Sequence, residues 1–194
     1  MRIALYFGSF NPIHNGHLAI AGYISEFTDM DEVWFVVSPQ NPLKEKQVLV
    51  NDKHRLNMVK KAIKNLSPKV RVCDIEFRMP KPSYTIDTLK HLPKLYPNNE
   101  FVVIMGADSL NSISQWKDYT ELLNSYKIIV YPRPNIKTHE LEKEFKVEVI
   151  NAPLFDISST ELRKWISMGK DVSCFMPMES FKYIVKNNLY KSNE

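Results

Sequence analysis

The strongest constraint on this chain is an end-to-end alternation between short apolar runs and segments with helical periodicity. Ile3–Phe7 is an apolar run stopped by Gly8-Ser9, and the following segment, Gly16 to Phe27, puts Leu18, Ala21, Ile24 and Phe27 at helical spacing. Val33–Val37 is β-branched and aromatic and ends at Ser38-Pro39. Asp52–Leu66 then carries Leu56, Val59, Ile63 and Leu66 on one stripe, with Pro68 beyond its end. Val70–Cys73 reads as a third strand, Tyr84–Leu92 as a helix ended by Pro93, and Phe101–Met105 and Ile128–Tyr131 as strands. Val147–Ile150 is a sixth strand, and helices follow over Thr160–Met168 and Met178–Asn187. Unbroken apolar strands are buried on both sides, and the helices between them supply the cover. The pattern predicts an α/β fold, a parallel sheet of about six strands with helices on both faces. Such sheets bind ligands beyond the carboxyl ends of their strands, so chemistry is expected in the residues that follow each strand.

With 194 residues, 44% of them hydrophobic, the chain is long enough for one domain spanning 1–194 around a sizeable core. No internal repeat, linker or low-complexity stretch interrupts it, and charged Thr138–Lys146 reads as a solvated helix face. The net charge of +4 is dispersed, with basic residues interleaved among acids. Without a concentrated basic patch and interleaved aromatics, no nucleic-acid partner is expected. No apolar run approaches a membrane span, and the N-terminal run is too short for a signal peptide. Cys73 and Cys174 stand in no metal-type spacing and read as reduced thiols, although two cysteines leave a single disulfide open. A cytoplasmic chain is expected. A homo-oligomer is compatible with the sequence, which does not fix the oligomeric state.

Glycine is scarce: five residues, against about 14 at average usage. Two of the five fall in the densest chemistry of the chain, Gly8-Ser9-Phe10-Asn11-Pro12-Ile13-His14-Asn15-Gly16-His17-Leu18, which leaves a strand and opens a helix. Gly8 lets backbone come close to a ligand, and Gly16 keeps the helix entry clear. A helix N-terminus offers unpaired N–H groups and partial positive charge, which suits phosphate. His14 and His17, three apart, face one side of a helical entry and can donate to one phosphoryl group. Taken alone, Asn11-Pro12 is an ordinary turn, and the two histidines are equally a surface pair or half of a metal site. The metal version lacks a third ligand nearby, so no metal site is expected in the chain.

The His14-x-Gly16-His17 segment resembles the (H/T)xGH signature of the nucleotidyltransferase superfamily, adenylyl- and cytidylyltransferases built on a Rossmann-like sheet. The family usually reads Gly-Gly-Ser-Phe-Asp-Pro where this chain has Phe7-Gly8-Ser9-Phe10-Asn11-Pro12. Phe7 in place of Gly narrows the space beside the turn, and Asn11 in place of Asp removes a charge. Ile157-Ser158-Ser159-Thr160-Glu161-Leu162-Arg163 is similar to the ISSTxxR motif of the same superfamily. Physically, Ser158 followed by Glu161 is a capping box. Three consecutive hydroxyls at a capped N-terminus, with Arg163 one turn in, also make a phosphate cradle.

Pro82-Ser83-Tyr84-Thr85 followed by Asp87-Thr88-Leu89 resembles the PSYTxxTL segment of nicotinate mononucleotide adenylyltransferases. Gly106-Ala107-Asp108-Ser109-Leu110, then Trp116, is similar to their GxD…W segment, and Arg133-Pro134 matches as well. A nicotinate ring needs an aromatic face, which Trp116 offers, and donors for its carboxylate, which the Thr85 hydroxyl and nearby backbone N–H groups offer. Asp108 suits ribose hydroxyls, and Asn41 and Lys44 suit phosphate. Each also has a plainer reading: Trp116 as packing, Thr85 as a helix cap, Asp108 as an N-cap, Lys44 as a surface lysine.

The resemblance implies an enzyme joining ATP and nicotinate mononucleotide into nicotinate adenine dinucleotide and pyrophosphate. It assigns His14, His17, Arg163 and Lys44 to the catalytic phosphates. ATP falls to Gly8, Ser9, Phe10, Gly106, Asp108, Ser158, Ser159 and Thr160, and the mononucleotide to Asn41, Thr85, Trp116 and Arg133. Mg2+ is expected to arrive with ATP, held largely by water and substrate oxygens. Two alternatives stay open: the same chemistry on nicotinamide mononucleotide, and a nucleotide-binding module without turnover.

Overall fold

Six strands form one sheet among the residues that the computed structural model describes, 1–40, 49–133 and 145–191. They are β1 (Arg2–Gly8), β2 (Glu32–Val37), β3 (Val70–Cys73), β4 (Glu100–Gly106), β5 (Ile128–Tyr131) and β6 (Val147–Val149). Their order is β3-β2-β1-β4-β5-β6, with every neighbouring pair parallel. The chain winds outward from β1 to β3, returns to β4 beside β1, and winds outward again to β6. The direction of winding therefore reverses between β1 and β4, and a crevice opens there beyond the strand ends.

Side-chain alternation divides the core in two. Ala4 and Tyr6 of β1, with Val33 and Phe35 of β2, face one side, while Ile3, Leu5, Trp34 and Val36 face the other. The first face is covered by α1 (Asn15–Phe27), α2 (Asp52–Ile63), α6 (Ser159–Ser167) and α7 (Met178–Lys186), through residues such as Ile24, Met58, Leu162 and Ile184. The second is covered by α3 (Thr85–Leu95), α4 (Ala107–Asn111) and α5 (Tyr119–Ser125), through Leu89, Leu110 and Leu122. The predicted α/β sheet with helices on both faces is the observed one.

Several helix details differ from the sequence reading. In α1 the buried stripe is Gly16, Ile20, Ala21, Ile24 and Ser25, while Phe27 is 75% exposed and stacks on Tyr23 at the surface. The buried face of α2 is Arg55, Met58, Val59 and Ala62, with Leu56, Ile63 and Leu66 packed at its margin. Pro93 does not end α3, which continues to Leu95. So near the helix end a missing N–H costs one bond, and Tyr96 N–H closes the last turn on Leu92 O at 2.9 Å. The short α4 and α5 have no counterpart in the sequence reading, because five and seven residues hold too little periodicity to show. Asn41, Lys44 and most of Thr138–Lys146 lie outside the described residues.

Gly169 takes φ +71° directly after the end of α6. Its N–H bonds Ile166 O and Lys170 N–H bonds Trp165 O, both at 2.9 Å, so it closes the helix as a C′ glycine. Cys73 and Cys174 are free, and burial pushes the Cys73 thiol up to about 11.

Candidate active site

The turn after β1 is held from several directions at once. His14 is the N-cap of α1 and His17 its third helical residue, so the two rings stack with centroids 3.7 Å apart and planes 30° from parallel. The His14 backbone N–H donates to His17 Nδ1 at 3.2 Å. That bond makes Nδ1 an acceptor, so the neutral His17 ring carries its proton on Nε2. His17 also packs edge-on against Phe10, 5.1 Å between centroids, and is tilted against Tyr6 at 5.9 Å. His14 is 4% exposed; burial, then the charge of Arg133, holds its imidazole down at about 3. Both desolvation and a neighbouring cation disfavour the imidazolium, so His14 is neutral at physiological pH.

The second signature docks on this turn. Ser158 caps α6: its Oγ accepts from Glu161 N–H at 3.2 Å and donates to the Glu161 carboxylate at 2.8 Å. Half of the expected capping box thus forms: the Ser158 hydroxyl takes the Glu161 N–H, while the Glu161 carboxylate meets that hydroxyl and not the Ser158 backbone N–H. Ser159 Oγ donates to Pro12 O at 2.8 Å. Arg163 Nη1 donates to Asn11 O at 2.8 Å and Nη2 to Thr160 Oγ1 at 3.2 Å. Residues nearly 150 positions apart in the chain therefore form one cluster around the His14–His17 pair.

Beside it, a cavity of about 460 Å³ opens beyond the ends of β1 and β4. Of the expected site residues, Gly8, Ser9, Thr85, Gly106, Asp108 and Trp116 line it. Thr85 is the first residue of α3 and Tyr84 its N-cap, so the positive end of an eleven-residue helix opens into the cavity wall. Trp116 ends a 3-10 turn over Ile113–Gln115 and is half-buried, so it both packs on the core and presents surface to the cavity. Ser9 is 3% exposed, and its Oγ has no hydrogen-bond partner among the described residues. A buried hydroxyl in that state is an unspent donor.

Arg133 does not itself line the cavity but touches two residues that do, Asp108 and Tyr131. Its Nη2 donates to the Tyr131 hydroxyl at 3.3 Å, its Nε lies 3.8 Å from the Asp108 carboxylate, and its guanidinium covers the Tyr131 ring. The His pair, Phe10, Ser158–Thr160 and Arg163 do not line the cavity; His17 reaches its wall through Tyr6.

The glycines serve packing as much as ligand approach. A Cβ on Gly8 would meet the Phe10 ring at 2.8 Å, on Gly16 Ile157 Cγ2 at 2.9 Å, and on Gly106 the Asp108 carboxylate and the Tyr131 hydroxyl. Gly22 differs: a Cβ there meets nothing within 4 Å among the described residues. Sequence reasoning missed Arg55 and Tyr190. Arg55 shares its helix with Lys53, Lys60 and Lys61, so its charge carries no distinguishing local signal, and Tyr190 lies in no motif. Both reach the His turn only through the tertiary fold.

Among the described residues no cluster of three or more His, Cys, Asp or Glu stands ready for a metal ion. None of the described helices is long and apolar enough to cross a membrane.

A family profile described as cytidylyltransferase-like matches residues 5–165. A protein of Flavobacterium johnsoniae named "Probable nicotinate-nucleotide adenylyltransferase" is 46% identical over 193 residues, which cover 98% of this chain and 100% of that protein. The solved Plasmodium falciparum nicotinic acid mononucleotide adenylyltransferase complexed with NaAD superposes with a TM-score of 0.85 at 30% identity, over 97% of each chain. The same protein complexed with APC gives 0.83 at 29% identity, over 97% of this chain and 96% of that one.

Proposed function

The chain belongs to the cytidylyltransferase-like family, and from that premise we propose that it transfers the adenylyl group of ATP to nicotinate mononucleotide. The products are nicotinate adenine dinucleotide and pyrophosphate, so the chain is a nucleotidyltransferase of NAD biosynthesis. One observation carries the reading: at one end of the sheet, the stacked His14–His17 pair with Arg163 flanks a cavity walled by Trp116 and the α3 N-terminus.

A phosphate oxygen of the mononucleotide attacks the α-phosphorus of ATP in line, and the bond to the bridging oxygen breaks as pyrophosphate leaves. The nucleophile is already anionic, so no general base takes part. Catalysis rests on positioning and on neutralising developing charge. His14 and His17, as neutral donors, serve the α- and β-phosphate oxygens. Arg163 and Lys44 receive the pyrophosphate, with the Ser9 and Thr160 hydroxyls and the Ser159 backbone N–H as further donors, since the Ser159 hydroxyl already donates to Pro12 O. Asp108 takes ribose hydroxyls beside the Gly106 backbone.

The nicotinate ring stacks on Trp116, and its carboxylate meets Thr85 and the first N–H groups of α3. A helix N-terminus favours an anion over a neutral amide, which supports nicotinate over nicotinamide. Arg133 and Asn41 complete the mononucleotide site. Mg2+ enters as the ATP complex. Asp108 is the one carboxylate among the described residues lining the cavity, a donor set suited to an ion carried by substrate oxygens and water. The chain works as one domain over 1–194, in the cytoplasm.

Pyrophosphate release, measured side by side with ATP plus nicotinate mononucleotide and ATP plus nicotinamide mononucleotide, tests the reading. Faster turnover with nicotinate is expected. Equal turnover would remove the specificity argument, and no pyrophosphate with either would remove the activity.

A further inference from the structure

Arg55, in the first turn of α2, is fully buried, yet no carboxylate among the described residues is hydrogen-bonded to it, and Asp52 attracts it only at longer range. Its guanidinium donates instead to four main-chain carbonyls. Nε reaches Val50 O at 3.0 Å, Nη1 reaches Ser9 O and Ser38 O at 2.7 Å each, and Nη2 reaches Pro39 O at 2.6 Å. The adjacent acid, Asp52, is taken by Lys81 at 2.7 Å. Burying a permanent cation is expensive, and apolar residues of similar volume often stabilise a fold as well or better. Stability therefore does not explain this arginine. Direction does.

Ser9 and Ser38 are the first residues past β1 and β2, and both line the cavity. The two turns also share a bond from Ser38 N–H to Gly8 O at 2.9 Å. An anion site built from main chain must turn its carbonyl oxygens away from the ligand, because each oxygen left facing a phosphate repels it. Carbonyls turned inward here need donors where water is excluded, and a planar guanidinium with five N–H groups supplies them in one side chain. The Ser9–Phe10 peptide is trans. A Ser9 carbonyl fixed on Arg55 therefore sends the Phe10 N–H the opposite way. Phe10 itself sits at φ +45°, a conformation that non-glycine residues adopt rarely and only when their surroundings enforce it.

We propose that Arg55 is a positioning residue for adenylyl transfer, clamping the Ser9 and Ser38 carbonyls inward so that the turns after β1 and β2 present an anion-compatible face to the phosphates. The proposal rests on the adenylyl-transfer reading above. It adds that the phosphate site is assembled from beneath, by a cation that never touches the nucleotide.

The test uses the full chain with Arg55→Met, which matches volume without donors, and Arg55→Lys, which keeps the charge with three donors in place of five. Thermal unfolding, kcat and KM for ATP and the mononucleotide, and the affinity for inorganic pyrophosphate are measured for each. Misplacing a catalytic turn by about 1 Å costs on the order of 10²-fold. Folded R55M is thus expected to lose kcat/KM by about that factor and to bind pyrophosphate at least about tenfold more weakly, with R55K between it and the wild type. Folded R55M with wild-type kcat and pyrophosphate affinity would overturn the proposal. If R55M does not fold, folded R55K with wild-type values overturns it equally. Wild-type protein that binds pyrophosphate but does not turn over would sink the adenylyl-transfer reading instead, and the pyrophosphate comparison would still judge Arg55.

Discussion

The Tyr190 hydroxyl lies 2.8 Å from Oδ1 of Asn11, 179 positions earlier in the chain. Burial pushes this phenol well up, against the opposing pull of Arg55 and Arg163, so it stays a protonated donor. Asn11 Oδ1 also accepts from Val50 N–H at 3.3 Å, and the Asn11 carbonyl takes Arg163. One residue of the β1 turn thus ties together the approach to α2 and the segment after α7 through its side chain, and α6 through its carbonyl. Tyr190→Phe removes the hydroxyl and leaves the ring in place. A loss of about 1 kcal/mol is expected, the usual net worth of one buried hydrogen bond, read as a lower urea midpoint at unchanged slope. A midpoint equal to wild type would mean that the hydroxyl contributes nothing.

The pH dependence of stability should carry the mark of His14. Its imidazole is held at about 3 in the folded chain, against an ordinary value of 6.5. Between those values the unfolded chain binds a proton that the folded chain refuses. The contribution of His14 is complete above pH 6.5 and is lost progressively as pH falls towards 3, at up to about 1.4 kcal/mol per pH unit. Thermal unfolding from pH 7 to pH 4 should show a steeper decline for wild type than for His14→Gln. Parallel curves would contradict the buried, neutral state of this ring.

Legibility in the sequence followed the range of the interactions. The six strands were readable because strands buried on both faces are unbroken apolar runs, and a run needs no knowledge of its neighbours. The His14–His17 turn and the Ser158–Arg163 helix were readable for the same reason: capping, ring stacking and helix-terminal N–H groups are set within a few residues. Phe27 was misplaced because its spacing fits the stripe while its position in the last turn carries it past the sheet. Arg55 and Tyr190 were invisible. Their partners are carbonyls and an amide brought in by strand order, and nothing local distinguishes a buried arginine from a solvated one on a helix that also carries Lys53, Lys60 and Lys61.

The proposed mechanism has His17 act in the transition state, and its Nδ1, accepting from the His14 N–H, leaves Nε2 to face the phosphate as donor. His17→Ala should lower kcat by about 10²-fold or more, with KM for ATP changed by only a few fold, as for a donor whose bond matters mainly while charge develops. Steady-state pyrophosphate release decides this. A kcat near wild type would move His17 from catalysis to capping.

Trp116 makes the opposite kind of contribution. It is half-buried on the core and lines the cavity together with Gln115, Lys117 and the α3 N-terminus. Trp116→Ala should raise KM for the mononucleotide far more than KM for ATP, since a stacked ring binds ground state and transition state alike. Equal changes in both would make it a packing residue.

The glycines of α1 separate packing from chance. Gly16 and Gly22 lie in the same helix, and helical propensity alone favours Ala at both by about 0.5–1 kcal/mol. At Gly22 a Cβ meets nothing within 4 Å, so the propensity gain stands unopposed. Gly22→Ala should raise Tm by roughly 2–4 °C for a chain of this size, with activity unchanged. At Gly16 the same methyl would press on Ile157 Cγ2 at 2.9 Å and on His14 Nδ1 at 3.1 Å. It would push α6 away from the turn that Arg163 holds. Gly16→Ala should therefore lose both stability and kcat, despite its better propensity. Calorimetry on the two variants would show stability changes of opposite sign, and turnover would fall only in Gly16→Ala. A Gly16→Ala protein as stable and active as wild type would mean that the contact between the two signatures is loose, and that their docking does not set the geometry of the phosphate site.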